Sequence, residues 1–258
     1  MSLFHPSRAT PASDEEENPY LLSFSDILAS LLAIFILALV AVMIRLDQQT
    51  SLARDTRVQV QQALAELARI EGLRREMLEE VKKNLTAHQV QVEITDNHSV
   101  LRIPDSQLHF QSGEYQIAAD QRQTVDLIGQ VLTEALQHAK RLQFIDTIFI
   151  EGHTDSQPLS YQAMGNWGLS TDRAIALWLY WTDNPGRLRG LREMRNQLGK
   201  PLFSVSGYAD TRRLVVPDLT PQDRQRNRRI DLRFTMRTPV TGDLMTLLET
   251  FKQAGVKP

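Results

Sequence analysis

The segment Ile27 to Ile44, ILASLLAIFILALVAVMI, carries no charge and is the one long apolar run of the chain. At about 1.5 Å per residue, a helix of this length crosses a thinned or slightly short hydrocarbon core. Asp26 stands at its mouth. A carboxylate in a spanning helix costs about 2.5 to 3.5 kcal/mol at the centre and less near the interface, so such a residue is expected to face a protein partner or a water path. An ion-carrying role is the sharper reading. A helix N-cap beside Ser25 is the plainer one, since Asp is common at helix starts.

A cleaved signal sequence is disfavoured because Asp14 to Glu17 (DEEE) is acidic where a basic flank is expected, and no small-x-small site follows the run. Residues 20–46 are therefore expected to form a transmembrane helix, and 1–19, with Pro6, Pro11 and Pro19, a mobile tail. Arg45, Arg54 and Arg57 follow the span while Arg8 alone precedes it, which by charge count puts the C-terminal side in the cytoplasm.

The 258 residues leave room for this anchor, a connector and one compact domain. A net charge of -2 favours neither an acidic nor a basic partner, and the lack of cysteine excludes disulfides and thiolate-bound metals. Residues 47–88 contain no proline and one glycine, Gly72, with Val60, Leu64, Leu67, Leu78, Val81 and Leu85 at drifting helical spacing. Glu71 with Arg75 and Glu79 with Lys83 are i to i+4 pairs in the favourable order. This is a helical linker that, if continuous, would reach about 60 Å. It either pairs with a second chain as a coiled coil or folds back on its own domain.

From Val90 the period changes to two: Val90, Val92 and Ile94, a polar turn at Asp96 to Ser99, then Leu101 and Ile103. Further on come a helix over about 118–141, a buried strand over 144–150, a helix from Leu169 to about Trp181, a strand near 202–207 and a last strand over 229–236 (RIDLRFTM). Strands interleaved with helices predict an α/β or α+β sandwich, one sheet covered by helices.

Three local sequences concentrate the chemistry: EGHTD at 151–155, NWGLSTDRA at 166–174 and NRRIDLRF at 227–234. With Phe110, Ser112 and Gly113 in HFQSGE, they resemble the OmpA-like peptidoglycan-binding domain over roughly residues 90 to 237. With the span and the helical stalk, the expected fold is a single transmembrane helix and stalk, then what the resemblance implies, an α+β OmpA-like domain at 89–237 with helices packed on one mixed sheet; a helical extension is expected over 238–258. The diaminopimelate side chain of peptidoglycan ends in an ammonium and a carboxylate on one carbon, so its receptor needs an anion and a guanidinium close together. By resemblance Asp155 takes the ammonium, Arg173 takes the carboxylate, Asn166 and Leu169 shape the pocket, and Asn227 and Arg228 line its neighbouring wall.

Plainer readings stand beside these. Asp155 with His153 could hold a metal, but a third ligand is not evident, so no metal or other cofactor is expected. Ser170 could cap a helix, with Asp172 and Arg173 on a solvated face. The arginines over 187–195 and 224–233 lack interleaved aromatic platforms, which argues against nucleic acid. Without a nucleophile elbow or a phosphate loop, hydrolysis is unsupported and the chain is not expected to be an enzyme.

A short tail, one span with an acid near its start, a stalk and an OmpA-like domain resemble the flagellar stator B family. Residues 20–42 look like that family's span, with Asp26 at its ion-carrying position. The acidic tail, and no recognisable flagellar-type plug, make the chain more similar to the motor subunits of the Zorya anti-phage defence system. The resemblance implies an ion-driven motor at the bacterial inner membrane. It further implies a homodimer held in a pentameric multi-span partner, peptidoglycan as the fixed point, protons more than sodium as the transported ion, and cytosolic helicase or nuclease effectors in the same system. Peptidoglycan lies outside the inner membrane, so the C-terminal domain is then periplasmic, against the arginine count.

Overall fold

A computed structural model describes residues 19–111, 113–159, 164–183 and 189–238. The expected C-terminal extension beyond residue 238, the tail before residue 19, Ser112 and Arg187 lie outside the described residues. The chain divides into two units, residues 1–60 and 61–258.

The first unit is the N-terminal part of helix α1, Pro19–Ala87. Its apolar side chains from Ile27 to Ile44 are exposed on every side, and it is long and apolar enough to cross a membrane. Asp26 lies well inside the helix and not at a cap, because α1 already runs from Pro19.

In the second unit the remainder of α1 is followed by β1 (Glu93–Thr95), β2 (Val100–Pro104), α2 (Arg122–Gln137), β3 (Ile145–His153), α3 (Gly165–Thr182), α4 (Arg189–Glu193), β4 (Phe203–Gly207), α5 (Pro221–Asn227) and β5 (Arg229–Met236). The sheet order is β1-β2-β5-β3-β4. Among the described residues only the β3–β4 pair is parallel, with α3 and α4 between the two strands, so the sheet is mixed as expected.

Period-two patterning assigns the two faces. Ile230, Leu232 and Phe234 of β5 join Leu101, Ile103, Ile148 and Ile150 in the core beneath the helices. Helix α2 contributes Val125, Ile128, Val131, Leu132, Ala135 and Leu136, the stripe read from its sequence. Trp181 of α3 is fully buried, and its indole N–H donates to the Val125 carbonyl at 2.9 Å.

The apolar positions expected along the linker separate by environment. Leu64 and Leu67 are exposed, whereas Leu78, Val81 and Leu85 are wholly buried with Ile70 and Met77 in the domain core. This part of α1 is an element of the domain. Its charges reach the domain too: the Arg74 Nε donates to the His98 carbonyl at 2.8 Å, and Arg141 pairs with Glu80 at 2.7 Å. Glu71 pairs with Arg74 one turn away, and Glu79 approaches His98 at 3.6 Å; these replace the expected partners Arg75 and Lys83.

On the opposite face of the sheet lies an ionic lattice. Asp231 accepts from Arg102 Nε at 3.0 Å and from Arg229 Nε at 3.0 Å, while Glu151 takes a two-pronged contact from Arg233 at 2.8 and 3.1 Å. Arginines of the basic last strand are thus neutralised within the fold.

Candidate functional site

The site arises where α3 lies hard against β3 and β4. A Cβ on Gly152 would stand 1.9 Å from the Ser170 carbonyl oxygen, and one on Gly207 would stand 2.1 Å from Thr171 Oγ1. Only glycine permits this approach. Ser170, inside the helix and not at its start, locks the contact by donating to the Trp167 carbonyl at 3.1 Å and accepting from Ala209 N–H at 3.0 Å. The first turns of α3 are thereby set beside the loop that leaves β3.

Between them is a cavity of about 370 Å³, whose walls include Asp155, Asn166, Leu169, Arg173 and Arg228, with His109, Phe110 and Gly113 from the loop before α2. Asp155 is largely buried; its Oδ1 accepts from Gln157 N–H at 3.1 Å and its Oδ2 from Arg228 Nη1 at 2.9 Å. Asn166 donates to the carbonyls of Asp155 at 3.2 Å and Gln157 at 3.0 Å, so it braces the loop carrying the carboxylate. Leu169 supplies a buried apolar wall.

Arg173 projects from the third helical turn, with its Nε donating to the Glu114 carbonyl at 3.0 Å and its Nη2 to the Gln111 carbonyl at 3.2 Å. Its guanidinium lies over the Phe110 ring, 5.0 Å from the centroid. The HFQSGE segment thus positions a cation in the cavity. Arg228 reaches in from the start of β5 and bridges two acids: Asp155, and Asp105 through contacts of 3.3 and 3.0 Å. Burial lowers the basicity of Arg228, but its bonds to Asp105 and Asp155 outweigh this and raise its pKa.

Asn227 is not among the residues that line the cavity. It is fully buried, accepting from the N–H groups of Leu214 and Val215 and donating to the Val215 carbonyl and to Asp218. Asp218 also takes the backbone and hydroxyl of Ser156 at 3.0 and 2.5 Å. Burial raises the Asp218 pKa, but these bonds prevail and hold it well below the usual carboxylate range. Asn227 therefore steadies the neighbouring loop, and through Asp218 and Ser156 the residue next to Asp155.

His153 is grouped with Glu151 and Asp231 and not with Asp155; the ligand-bearing atoms of the three lie within 4.8 Å of one another. The donor set does not fit a cation, because both carboxylates are already engaged by Arg102, Arg229 and Arg233, whose charges would oppose it. Burial and then Arg229 push the His153 pKa down to about 3. The ring is neutral near pH 7, stacks on Tyr208 at 5.4 Å, and its 3.5 Å approach to Asp231 is not an ion pair there.

Asp105 was not picked out by sequence reasoning. It follows a strand as an ordinary polar stop after Pro104, and no local pattern distinguishes it from a solvated turn acid. Its burial and its pairing with Arg228, far along the chain, exist only in the fold.

A domain of this architecture, with this cavity at the ends of its inner strands β3 and β5, is OmpA-like: residues 109–228 match the OmpA family. Among solved structures, a MotB-like protein of Desulfovibrio vulgaris is 21% identical with a TM-score of 0.48, covering 66% of this chain and 98% of its own. The periplasmic domain of Helicobacter pylori MotB (residues 78-256) is 18% identical with a TM-score of 0.42, covering 65% and 92%. The cell wall anchor of the T6SS from Pseudomonas aeruginosa is 20% identical with a TM-score of 0.42, covering 64% and 99%. No curated protein matches the chain.

Proposed function

We propose that the chain is a peptidoglycan-anchored stator subunit of an ion-driven motor in the bacterial inner membrane, of the kind represented by ZorB in Zorya anti-phage defence. The observation that carries the anchoring half is the convergence of Asp155 and Arg173 on one cavity, an anion and a guanidinium for a diaminopimelate zwitterion. Full-length protein carrying Asp155→Ala or Arg173→Ala is expected to lose co-sedimentation with purified sacculi. Retention by both variants overturns the pocket assignment.

The motor half is supported by Asp26 inside an otherwise apolar span, together with the sequence resemblance to stator B subunits. In this reading the N-terminus is cytoplasmic, the domain periplasmic, and two copies sit in a ring of five multi-span partners. Neutralisation of Asp26 by a proton lets the ring pass, and release resets the step. One charge crossing 100 mV supplies about 2.3 kcal/mol, enough to bias a step of rotation. Asp26→Asn is expected to abolish ion-driven function while a five-to-two complex still copurifies; full activity of that variant leaves a passive wall anchor. The acidic cluster at Asp14 to Glu17 favours the defence motor over the flagellar one. Phage restriction lost in the same variant is the corresponding readout.

A further inference from the structure

We propose that Asp105 is a positioning residue of the cavity, which holds Arg228 so that its guanidinium can leave Asp155 when the ammonium of a ligand arrives. The inference rests on reading the cavity as a zwitterion receptor. Arg228 is shared unequally between its two acids. Toward Asp105 it presents two nitrogens, Nε to Oδ1 at 3.3 Å and Nη2 to Oδ2 at 3.0 Å, and toward Asp155 one, Nη1 to Oδ2 at 2.9 Å. The two-pronged contact is the stronger and more directional form of such a pair.

An ammonium seated on Asp155 would face the Arg228 guanidinium at short range, and like charges there repel. Moving Arg228 off Asp155 gives up a single bond and leaves the cation paired with a carboxylate that is itself almost wholly buried. Without Asp105 the same movement would strand a half-buried guanidinium, so Arg228 would stay and compete with the ligand. Asp105 has one further neighbour of consequence, His109 Nδ1 at 3.2 Å from Oδ2, on the exposed side. The charges of Asp105, Asp155, Arg173 and Arg228 cancel, and a bound zwitterion preserves that balance whereas a lone ammonium does not. Arg228 therefore acts as an internal stand-in for the ligand's cation and penalises ligands that bring an ammonium without a carboxylate.

The test uses the full-length protein in detergent with two soluble tripeptides, L-Ala-γ-D-Glu-meso-diaminopimelate and its L-lysine counterpart, and titration calorimetry. Asp105→Asn is expected to weaken the diaminopimelate peptide about tenfold. That loss should vanish when Asp105→Asn is made in an Arg228→Gln background. Arg228→Gln alone should show a smaller preference for the diaminopimelate peptide over the lysine peptide. An Asp105→Asn variant that binds normally overturns the inference, as does an Arg228→Gln variant that loses affinity with its preference unchanged. Should Asp105→Asn fail to fold, as judged by thermal melting, the Arg228→Gln result decides alone. Failure of the unaltered protein to bind either peptide overturns the receptor reading itself, a result distinct from all of these.

Discussion

Leu37 and Leu85 belong to the same helix and are opposite in surroundings: the first is 68% exposed, the second 0%. Around Leu37 the helix is apolar on all sides and covered by no other part of the described structure, which suits a lipid solvent. Around Leu85 the apolar residues Met77, Leu78 and Val81 form a stripe that enters the domain core. Apolar content by itself does not decide burial in protein; the angular spread of that content around the helix does. The two regions also use acids differently, since Asp26 is an exposed helix residue of the first unit while Asp155 is braced by Gln157, Arg228 and Asn166 in the second.

The largest test of this contrast is Gly152→Ala. The added methyl would collide with the Ser170 backbone, and overpacking of this severity is expected to cost more than about 3 kcal/mol, unfolding the domain. Loss of the cooperative near-ultraviolet transition, with the protein still found in the membrane fraction, would show that the two units fail separately. A variant as stable as the original would break the account of how α3 approaches the sheet.

Next in size is a pair of identical truncations. Leu85→Ala should destabilise the domain by about 2 to 5 kcal/mol, while Leu37→Ala should leave its melting unchanged. Equal effects in denaturant titrations would erase the distinction between the two ends of α1.

The smallest effect concerns pH. The folded-state pKa of His153, about 3, lies below the unfolded value near 6.5, so acid favours the unfolded chain. Its contribution is fully present above about pH 6.5 and is lost as pH falls toward 3, by at most about 1.4 kcal/mol per pH unit. His153→Phe, which keeps a ring beside Tyr208, should reduce the stability lost between pH 7 and pH 5 by about 1 to 2 kcal/mol. Denaturant midpoints at the two pH values measure this; an unchanged acid loss would mean that the ring takes up a proton as readily in the fold as in the unfolded chain.

The legibility of individual elements follows from where their signals reside. The last strand, Arg229–Met236, carries its whole pattern locally and was readable at both ends. Helix α3 begins at Gly165, four residues before the expected Leu169, and Met164 makes no side-chain cap that would have marked the start in the sequence. The stretch over 118–141 is an α-helix flanked by 3-10 turns, the second of which leads into β3. Helix α5 was missed although Thr220, Pro221 and Asp223 announce it with a capping box.

Much of the candidate site was also readable: Asp155, Asn166, Leu169, Arg173 and Arg228 surround one cavity. Asn227, adjacent in sequence to Arg228, supports a loop instead, a difference that hinges on which way neighbouring side chains face at the entry to β5.

The sequence by itself determined the apolar span, the acid within it, the alternation of the core strands and most of the residue types that line the cavity. These are properties of composition and period, which act over a few turns of chain. Tertiary structure alone decided that the end of α1 belongs to the domain, that His153 sits neutral within an arginine-rich lattice, and that Asp105 shares Arg228 with Asp155. Those outcomes depend on burial and on pairing between residues more than a hundred positions apart in the last case, where the cost of leaving a charge unpaired is set by the packed surroundings.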